Sequence, residues 1–145
     1  MIPQDMYDLL TQRNNAIVAI NRPSGGPQLT PVWYLWDGDA IYFRIARSTA
    51  KYRYIKRNPA ISVIINDHAG FRYLTVYGQA QIMDVNPADV AIQIVKKYYA
   101  PTLASQRMPQ DQELEVVTIR LRPEKVVAVV EDIAREAADS WSPHP

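Results

Sequence analysis

The sequence contains no cysteine and only two histidines, His68 and His144, among its 145 residues. The lack of cysteine excludes disulfide bridges, thiolate-bound metal clusters and a cysteine nucleophile. Two histidines are too few for a metal site built from histidine alone, so we expect no metal. Long apolar runs are also missing: the longest, as at 126–130, have about five residues, against the ~20 that span a membrane. The opening residues lack a signal-peptide pattern, and we expect a cytoplasmic protein with no membrane contact.

Net charge is nearly absent, because 16 Lys and Arg face 15 Asp and Glu, giving +1. This balance excludes a globally basic nucleic-acid-binding protein and an acidic tail protein. Hydrophobic residues make up 48% and charged residues 21% of the chain, which is typical of a globular protein with a core. Since no repeat or linker divides the sequence, we expect residues 1–145 to form one domain.

Short β-prone runs separated by turn-forming residues predict a mainly β fold. The predicted strands span residues 16–20, 28–35, 40–45, 61–65, 73–83, 116–121 and 125–130. The predicted helices are a short one at 4–13, one at 49–57 with Ser48 as N-cap, one from an Asn86 cap to Pro101, and a last helical turn or two at 133–140 in the 131–145 tail. We expect the last two strands to form a hairpin, and residues 102–114 to be irregular or to form one loose turn. Strands joined by short turns favour a six- or seven-stranded antiparallel β-barrel with a few short helices over a doubly wound parallel sheet.

One segment is strongly basic: six Lys and Arg lie between Arg44 and Arg57 with no acid among them. If Ser48 caps the following helix, the free backbone N–H groups of the first turn converge with the hydroxyls of Ser48 and Thr49 and the ammonium of Lys51. Such a convergence predicts an anion site, above all for phosphate. Two other interpretations stay open, namely a solvated basic helix face and, because tyrosines interleave with the cations, a nucleic-acid contact. The neutral charge of the domain argues against the second, and we expect no nucleic-acid partner.

Five segments in a fixed order carry a family resemblance: residues 26–34 (GPQLTPVWY), 37–43 (DGDAIYF), 48–51 (STAK), 58–59 (NP) and 77–82 (YGQAQI). They resemble the pyridoxamine 5'-phosphate oxidase-like split β-barrel flavoproteins, and especially their flavin/deazaflavin oxidoreductase branch, whose members use coenzyme F420 or FMN. The resemblance covers residues 4–83 and weakens beyond residue 84. It implies an FMN-binding type of split barrel, acting as a homodimer with the cofactor at the subunit interface.

The resemblance also implies a set of cofactor-binding residues. Lys51 would bind the cofactor phosphate together with Thr49, and Arg53 matches an arginine of the deazaflavin-type relatives. Arg44, at the end of a strand, would lie on the phosphate side. The backbone of one strand would lie along the cofactor ring at Thr30, Pro31, Val32 and Trp33. The partner subunit would contribute Tyr73.

Some positions depart from the family pattern. Ala50 stands where the oxidases often have arginine, and Ile45 where they often have threonine. The tail carries Trp141 without the Trp and Arg segment of the true pyridoxamine phosphate oxidases, which argues against that activity. We find no acid–base dyad: Asp37, Asp39 and Asp67 fall in turns, where aspartate is favoured for backbone reasons. No catalytic residue is therefore assigned.

The resemblance implies an oxidoreductase that transfers a hydride from reduced F420 to a small unsaturated or carbonyl substrate. Arg44, Arg47 and Arg53 favour F420 over FMN, because the acidic tail of F420 can use the additional positive charge. An FMN-dependent enzyme of the same fold and a non-catalytic flavin or haem carrier remain alternatives. Trp33 has two open roles, packing in the core or a dimer and stacking on a cofactor or substrate.

Overall fold

The computed structural model describes residues 1–83, 87–108 and 115–141. Its strands are β1 (Ala16–Ile20), β2 (Gln28–Val32), β3 (Leu35–Trp36), β4 (Ile41–Ala46), β5 (Ala60–Asn66), β6 (Arg72–Ile82), β7 (Val116–Leu121) and β8 (Lys125–Val130). After a 3-10 turn at Gln4–Met6, its helices are α1 (Tyr7–Leu10), α2 (Ala50–Arg57), α3 (Ala88–Tyr98), α4 (Pro101–Ala104) and α5 (Asp132–Ser140). Within these ranges, no helix has the length and apolar character needed to cross a membrane.

The strands form a single curled antiparallel sheet. Their order is β2-β1-β5-β6-β7-β4-β3, with β8 also paired to β6. β2 and β3 stand at opposite ends of this order, yet only Trp33 and Tyr34 separate them in the chain. Three peptide steps reach no more than about 11 Å, so the sheet must curl until its two ends meet. We call this junction at residues 33–34 the seam; the predicted split β-barrel is confirmed.

The single strand predicted over 28–35 is wrong, because the seam divides it. β2 pairs with β1, whereas β3 pairs with β4. The ring of Tyr34 is fully buried, and its hydroxyl donates a hydrogen bond to Oδ1 of Asn14 at 2.7 Å. Because this side chain enters the core, the backbone leaves one sheet end and joins the other.

The predicted hairpin between the last two strands is also wrong. β7 and β8 lie one after the other along β6, both antiparallel to it. Ala80 of β6 faces Leu121, and Tyr77 faces Lys125, so three steps along β6 correspond to four along its neighbour. Pro123 stands within this offset and has no N–H for a ladder, so the segment forms a bulge rather than a corner.

Two helix boundaries differ from the predictions. α3 ends at Tyr98, and Pro101 begins α4 instead of closing the preceding helix. This is the favoured position for proline, whose missing N–H would be unpaired in a first turn anyway. Of the two alternatives for residues 102–114, the single turn is therefore the correct one at 102–104, while the predicted Asn86 cap lies outside the described residues.

The short N-terminal helix is tied to the β5–β6 turn by ion pairs. Arg72 of β6 forms salt bridges with Asp8 of α1 at 2.8 Å and with Asp67 at 2.6 Å. Hydrogen bonding to Arg72 lowers the pKa of Asp8. Burial raises the pKa of Asp67, but hydrogen bonds from the Ala69 amide and Arg72 outweigh this effect and lower it. Both carboxylates are thereby stabilised in their charged form and hold α1, which packs Leu9 and Leu10 into the core.

Candidate functional site

A groove of about 540 Å³ lies between β2 and α3, within the usual size range of small-molecule sites. Its described lining residues are Thr30, Pro31, Val32, Trp33, Arg44, Lys51, Ala91, Ile94, Val95, Tyr99 and Arg107. Six of the ten residues predicted for the cofactor site thus line one groove. They come from β2, the seam, β4 and α2, which the barrel brings together.

Three cations line this groove from three different elements. Arg44 comes from β4, Lys51 from the first turn of α2, and Arg107 from the segment after α4. No carboxylate or histidine belongs to the described lining residues. The described part of the groove is therefore suited to an anionic ligand.

The N-terminus of α2 differs in detail from the prediction. Thr49, not Ser48, is the N-cap residue, with extended backbone angles, and no side chain caps the helix. The Thr49 hydroxyl donates a hydrogen bond to the carbonyl of Ala46 at 2.7 Å. Ser48 is exposed, and its carbonyl lies 3.5 Å from an Nη of Arg53. Three predicted site residues are close to Lys51 in sequence but are not among the lining residues of the groove. They are Ser48, Thr49 and Arg53.

The helix side of the groove carries an aromatic cluster. The indole of Trp33 stacks on Tyr98 with ring centroids 4.8 Å apart, and Tyr99 meets it edge-on at 5.3 Å. The Trp33 side chain nonetheless stays 43% exposed. Trp33 therefore packs on one side against α3 and is accessible from the groove, so both of its predicted roles are compatible with its position.

Tyr73 lies away from these residues. It belongs to β6, where it pairs with Asn66 of β5 and Val129 of β8. It is not among the described residues that line the groove. Its predicted contribution to the partner subunit's site stays a prediction.

The sequence reasoning missed the helix side of the groove. Ala91, Ile94 and Val95 belong to the apolar stripe of α3, whose spacing is equally typical of a core-facing helix. Tyr99 follows Tyr98 at the end of the predicted helix, a position that is equally typical of a packing residue. Arg107 stands in a polar segment where no pattern distinguishes it from other surface residues.

Comparison with known proteins places the chain in a family. Residues 2–129 match the family model for pyridoxamine 5'-phosphate oxidase. A solved structure named F420 reductase is 28% identical, with a TM-score of 0.71 over 87% of this chain and 98% of that one. No significant match was found among curated proteins.

Two further solved structures share the fold at lower identity. A putative pyridoxamine 5'-phosphate oxidase from Listeria innocua is 18% identical, with a TM-score of 0.68 over 86% of this chain and 94% of that one. The haem storage protein HutZ from Vibrio cholerae is 15% identical, with a TM-score of 0.66 over 87% and 92% of the two chains. Since the family model covers most of the sequence and the split barrel is present, the protein belongs to the pyridoxamine 5'-phosphate oxidase family.

Proposed function

We propose that the protein is an oxidoreductase that uses reduced coenzyme F420 to transfer a hydride to a small unsaturated or carbonyl substrate. The observation that carries this proposal is the groove, where cations and an aromatic wall lie together with no carboxylate or histidine among the described lining residues. A groove of this chemistry can bind a flat, phosphorylated cofactor and leaves the redox step to it.

Similarity and charge both favour F420 as the cofactor. The solved F420 reductase is 28% identical to this chain over most of both lengths. Arg44, Lys51 and Arg107 provide more positive charge than a single phosphate requires, and the acidic tail of F420 would use the excess. FMN, which also carries a phosphate, is the second candidate cofactor.

Different residues of the groove would bind different parts of the cofactor. Lys51 and Arg44 would bind the phosphate through charge-assisted hydrogen bonds, and Arg107 the acidic tail. Residues 30–33 would lie along the ring system, and the apolar side chains of Ile94 and Val95 would exclude water from it. When bound, reduced F420 would supply the hydride, and the substrate would take its proton from solvent.

We also propose that a second copy of the chain completes the site. β8 exposes the apolar side chain of Val127 at 39%, and α5 exposes that of Ile133 at 82%. We propose that these exposed apolar side chains belong to the dimer interface. Tyr73 lies on β6 directly beside β8, so a partner docked on this face would receive its side chain.

Dimer formation is tested by sedimentation of purified protein at micromolar concentration. We expect a dimer for the wild-type protein and a monomer for Val127→Glu, which places a charge on the apolar face. Leu103→Glu, a charge at a similarly exposed apolar residue on α4, should leave the dimer intact. A monomeric wild-type protein would contradict this part of the proposal.

Cofactor binding is tested by fluorescence titration of the cofactor-free protein with F420 and, separately, with FMN. We expect F420 to bind more tightly, and Lys51→Ala to weaken it by about 2 kcal/mol, roughly 30-fold, through loss of a charge-assisted contact. Lys56→Ala is the matched control, because Lys56 lies on the same helix but is exposed and does not line the groove.

The outcomes separate the candidates. Tighter F420 binding, followed by oxidation of reduced F420 in the presence of hydride acceptors, supports the reductase. Tighter FMN binding would instead support an FMN-dependent enzyme of the same fold. Binding of neither cofactor, or equal losses in Lys51→Ala and Lys56→Ala, would overturn the proposed site.

A further inference from the structure

Lys97, in the last turn of α3, points away from the groove and into the protein. Its Nζ donates hydrogen bonds to the carbonyls of Leu10 at 3.0 Å and Tyr34 at 3.1 Å. The same ammonium lies 3.6 Å from the ring centroid of Tyr34 and 5.0 Å from that of Tyr98. Lys97 therefore joins α3 to the end of α1 and to the seam of the barrel.

No acid compensates this charge within the described residues. The titratable and charged groups that face Lys97 are the phenols of Tyr34 and Tyr98 and the guanidinium of Arg13, whose Nε donates to the Lys97 carbonyl at 2.9 Å. Burial lowers the pKa of Lys97 to about 8. Burial of a cation without a carboxylate partner lowers the stability of the folded protein. There must therefore be a structural reason for the position of the Lys97 ammonium.

The seam supplies that reason, because its backbone leaves both β ladders at Tyr34. The Tyr34 amide donates to the hydroxyl of Tyr98 at 3.2 Å, and the Tyr34 carbonyl accepts from Lys97. The Tyr98 hydroxyl in turn donates to the carbonyl of Asn14 at 2.8 Å. Two neighbouring residues of α3 thus satisfy both polar groups that the sheet leaves unpaired.

These contacts reach the groove through the residues on either side. Trp33 precedes Tyr34 in the seam, and Tyr99 follows Tyr98 in the chain; both line the groove. We propose that Lys97 is a positioning residue for this groove: its ammonium holds the end of α3 on the seam and thereby fixes Trp33 against Tyr98 and Tyr99. The inference rests on the proposed function in taking the groove as the cofactor site.

The first test measures Trp33 without any cofactor. The chain has three tryptophans, so Trp36→Phe with Trp141→Phe leaves Trp33 as the single reporter. In this background we expect Lys97→Met to raise the acrylamide quenching constant of Trp33 about two-fold, because the indole is released from its stack. Lys97→Arg, which keeps the cation, should stay near the parent value. Lys96→Met changes the exposed neighbouring lysine and should have no effect.

A second measurement decides the question even where Lys97→Met fails to fold. As pH rises from about 7 to about 9, Lys97 loses its proton around its pKa of about 8, and Trp33 emission should change with that midpoint. Burial raises the pKa of Tyr98 to about 12 and that of Tyr34 further, so neither facing phenol titrates in this range. Lys97→Arg, which stays charged, should lack the step.

Cofactor affinity provides the last readout. We expect Lys97→Met to weaken F420 binding five- to ten-fold while Lys97→Arg and Lys96→Met stay within two-fold of the parent. Three results would each overturn the positioning role. They are unchanged Trp33 quenching in Lys97→Met, no pH-dependent change of Trp33 emission in the single-tryptophan protein that keeps Lys97, and an equal change in Lys97→Arg. If the wild-type protein binds neither cofactor, the proposed function fails, but the Trp33 measurements still decide the role of Lys97.

Discussion

The indole of Trp33 lies parallel to the phenol ring of Tyr98, with an interplanar angle of 5° and a centroid distance of 4.8 Å. One ring comes from the seam between the two ends of the sheet, and the other from the last turn of α3. The same stack that closes the barrel against its helix therefore forms part of the groove wall. This pair of rings therefore connects the seam of the barrel to the wall of the groove.

Removing the Tyr98 hydroxyl should destabilise the protein while keeping this stack. Tyr98→Phe leaves the Asn14 carbonyl and the Tyr34 amide without the bonds they make now, so we expect the free energy of unfolding to fall by about 1–2 kcal/mol. Tyr98→Leu should cost about 1 kcal/mol more through loss of the aromatic pair. Urea denaturation measures both, with Tyr99→Phe as control. The Tyr99 hydroxyl bonds no described residue, so a similar loss in Tyr99→Phe would contradict the explanation.

Arg107 should contribute to anion binding less than Lys51 does. Its side chain lines the groove but is exposed, so solvent screens its charge and we expect Arg107→Ala to cost about 0.5–1 kcal/mol of affinity for F420. Added salt should reduce the difference between the two proteins. Isothermal titration at two salt concentrations measures this, and Arg57→Ala, an exposed cation outside the groove, should bind as the wild type does.

Gly78 should not tolerate a side chain. A Cβ at this position would lie 2.6 Å from the carbonyl oxygen of Arg122 and 2.8 Å from Cδ1 of Leu121. Since the first of these is backbone at the bulge, we expect Gly78→Ala to lower the free energy of unfolding by about 2–3 kcal/mol. Gly26→Ala is the control, because a Cβ there meets nothing within 4 Å. If the two variants are equally stable in thermal unfolding, the backbone at the bulge can shift at little cost in free energy, and the prediction is wrong.

The ion pairs of Arg72 should make the free energy of unfolding depend on pH in the acidic range. Its loss in Arg72→Leu leaves Asp67 and Asp8 unpaired, and we expect a cost of about 2 kcal/mol at neutral pH. Both carboxyls have a folded pKa below their usual 3.8, so their contribution is complete above that value and disappears as pH falls through the folded pKa. Denaturation midpoints across this range should therefore fall more steeply in the wild type than in Arg72→Leu. Arg122→Leu, which breaks an exposed ion pair with Asp39, should change little at any pH.

β1 and β5 bury every second residue, and their short, almost entirely apolar runs predict the strands, although not which side of each faces the core. The seam could not be predicted, since Trp33, Tyr34 and Leu35 are all β-prone and the break depends on Tyr34 reaching Asn14, 20 residues earlier in the chain. The offset between β7 and β8 likewise depends on their shared partner strand.

The strand side of the site could be located from local chemistry, and the helix side could not. The basic segment and the family motif place Arg44 and Lys51 at the groove, because both signals are local. The apolar stripe of α3 serves two surfaces: Val90 and Ile94 pack in a core cluster, while Ile94 and Val95 line the groove. Periodicity identifies such a stripe but does not tell which part of it faces a ligand.

The extra residue at the bulge resets which side chains face inward. Before it, Val117, Ile119 and Leu121 enter the core; after it, Val126 packs against the core and Val127 is exposed. The core-facing residues named before Pro123 are thus at odd-numbered positions, whereas Val126, after it, is at an even-numbered one. Loss of one residue between 122 and 124 would exchange the two faces of β8 or force it out of register with β6. This short segment should accept many substitutions, yet be among the least tolerant of a single-residue deletion.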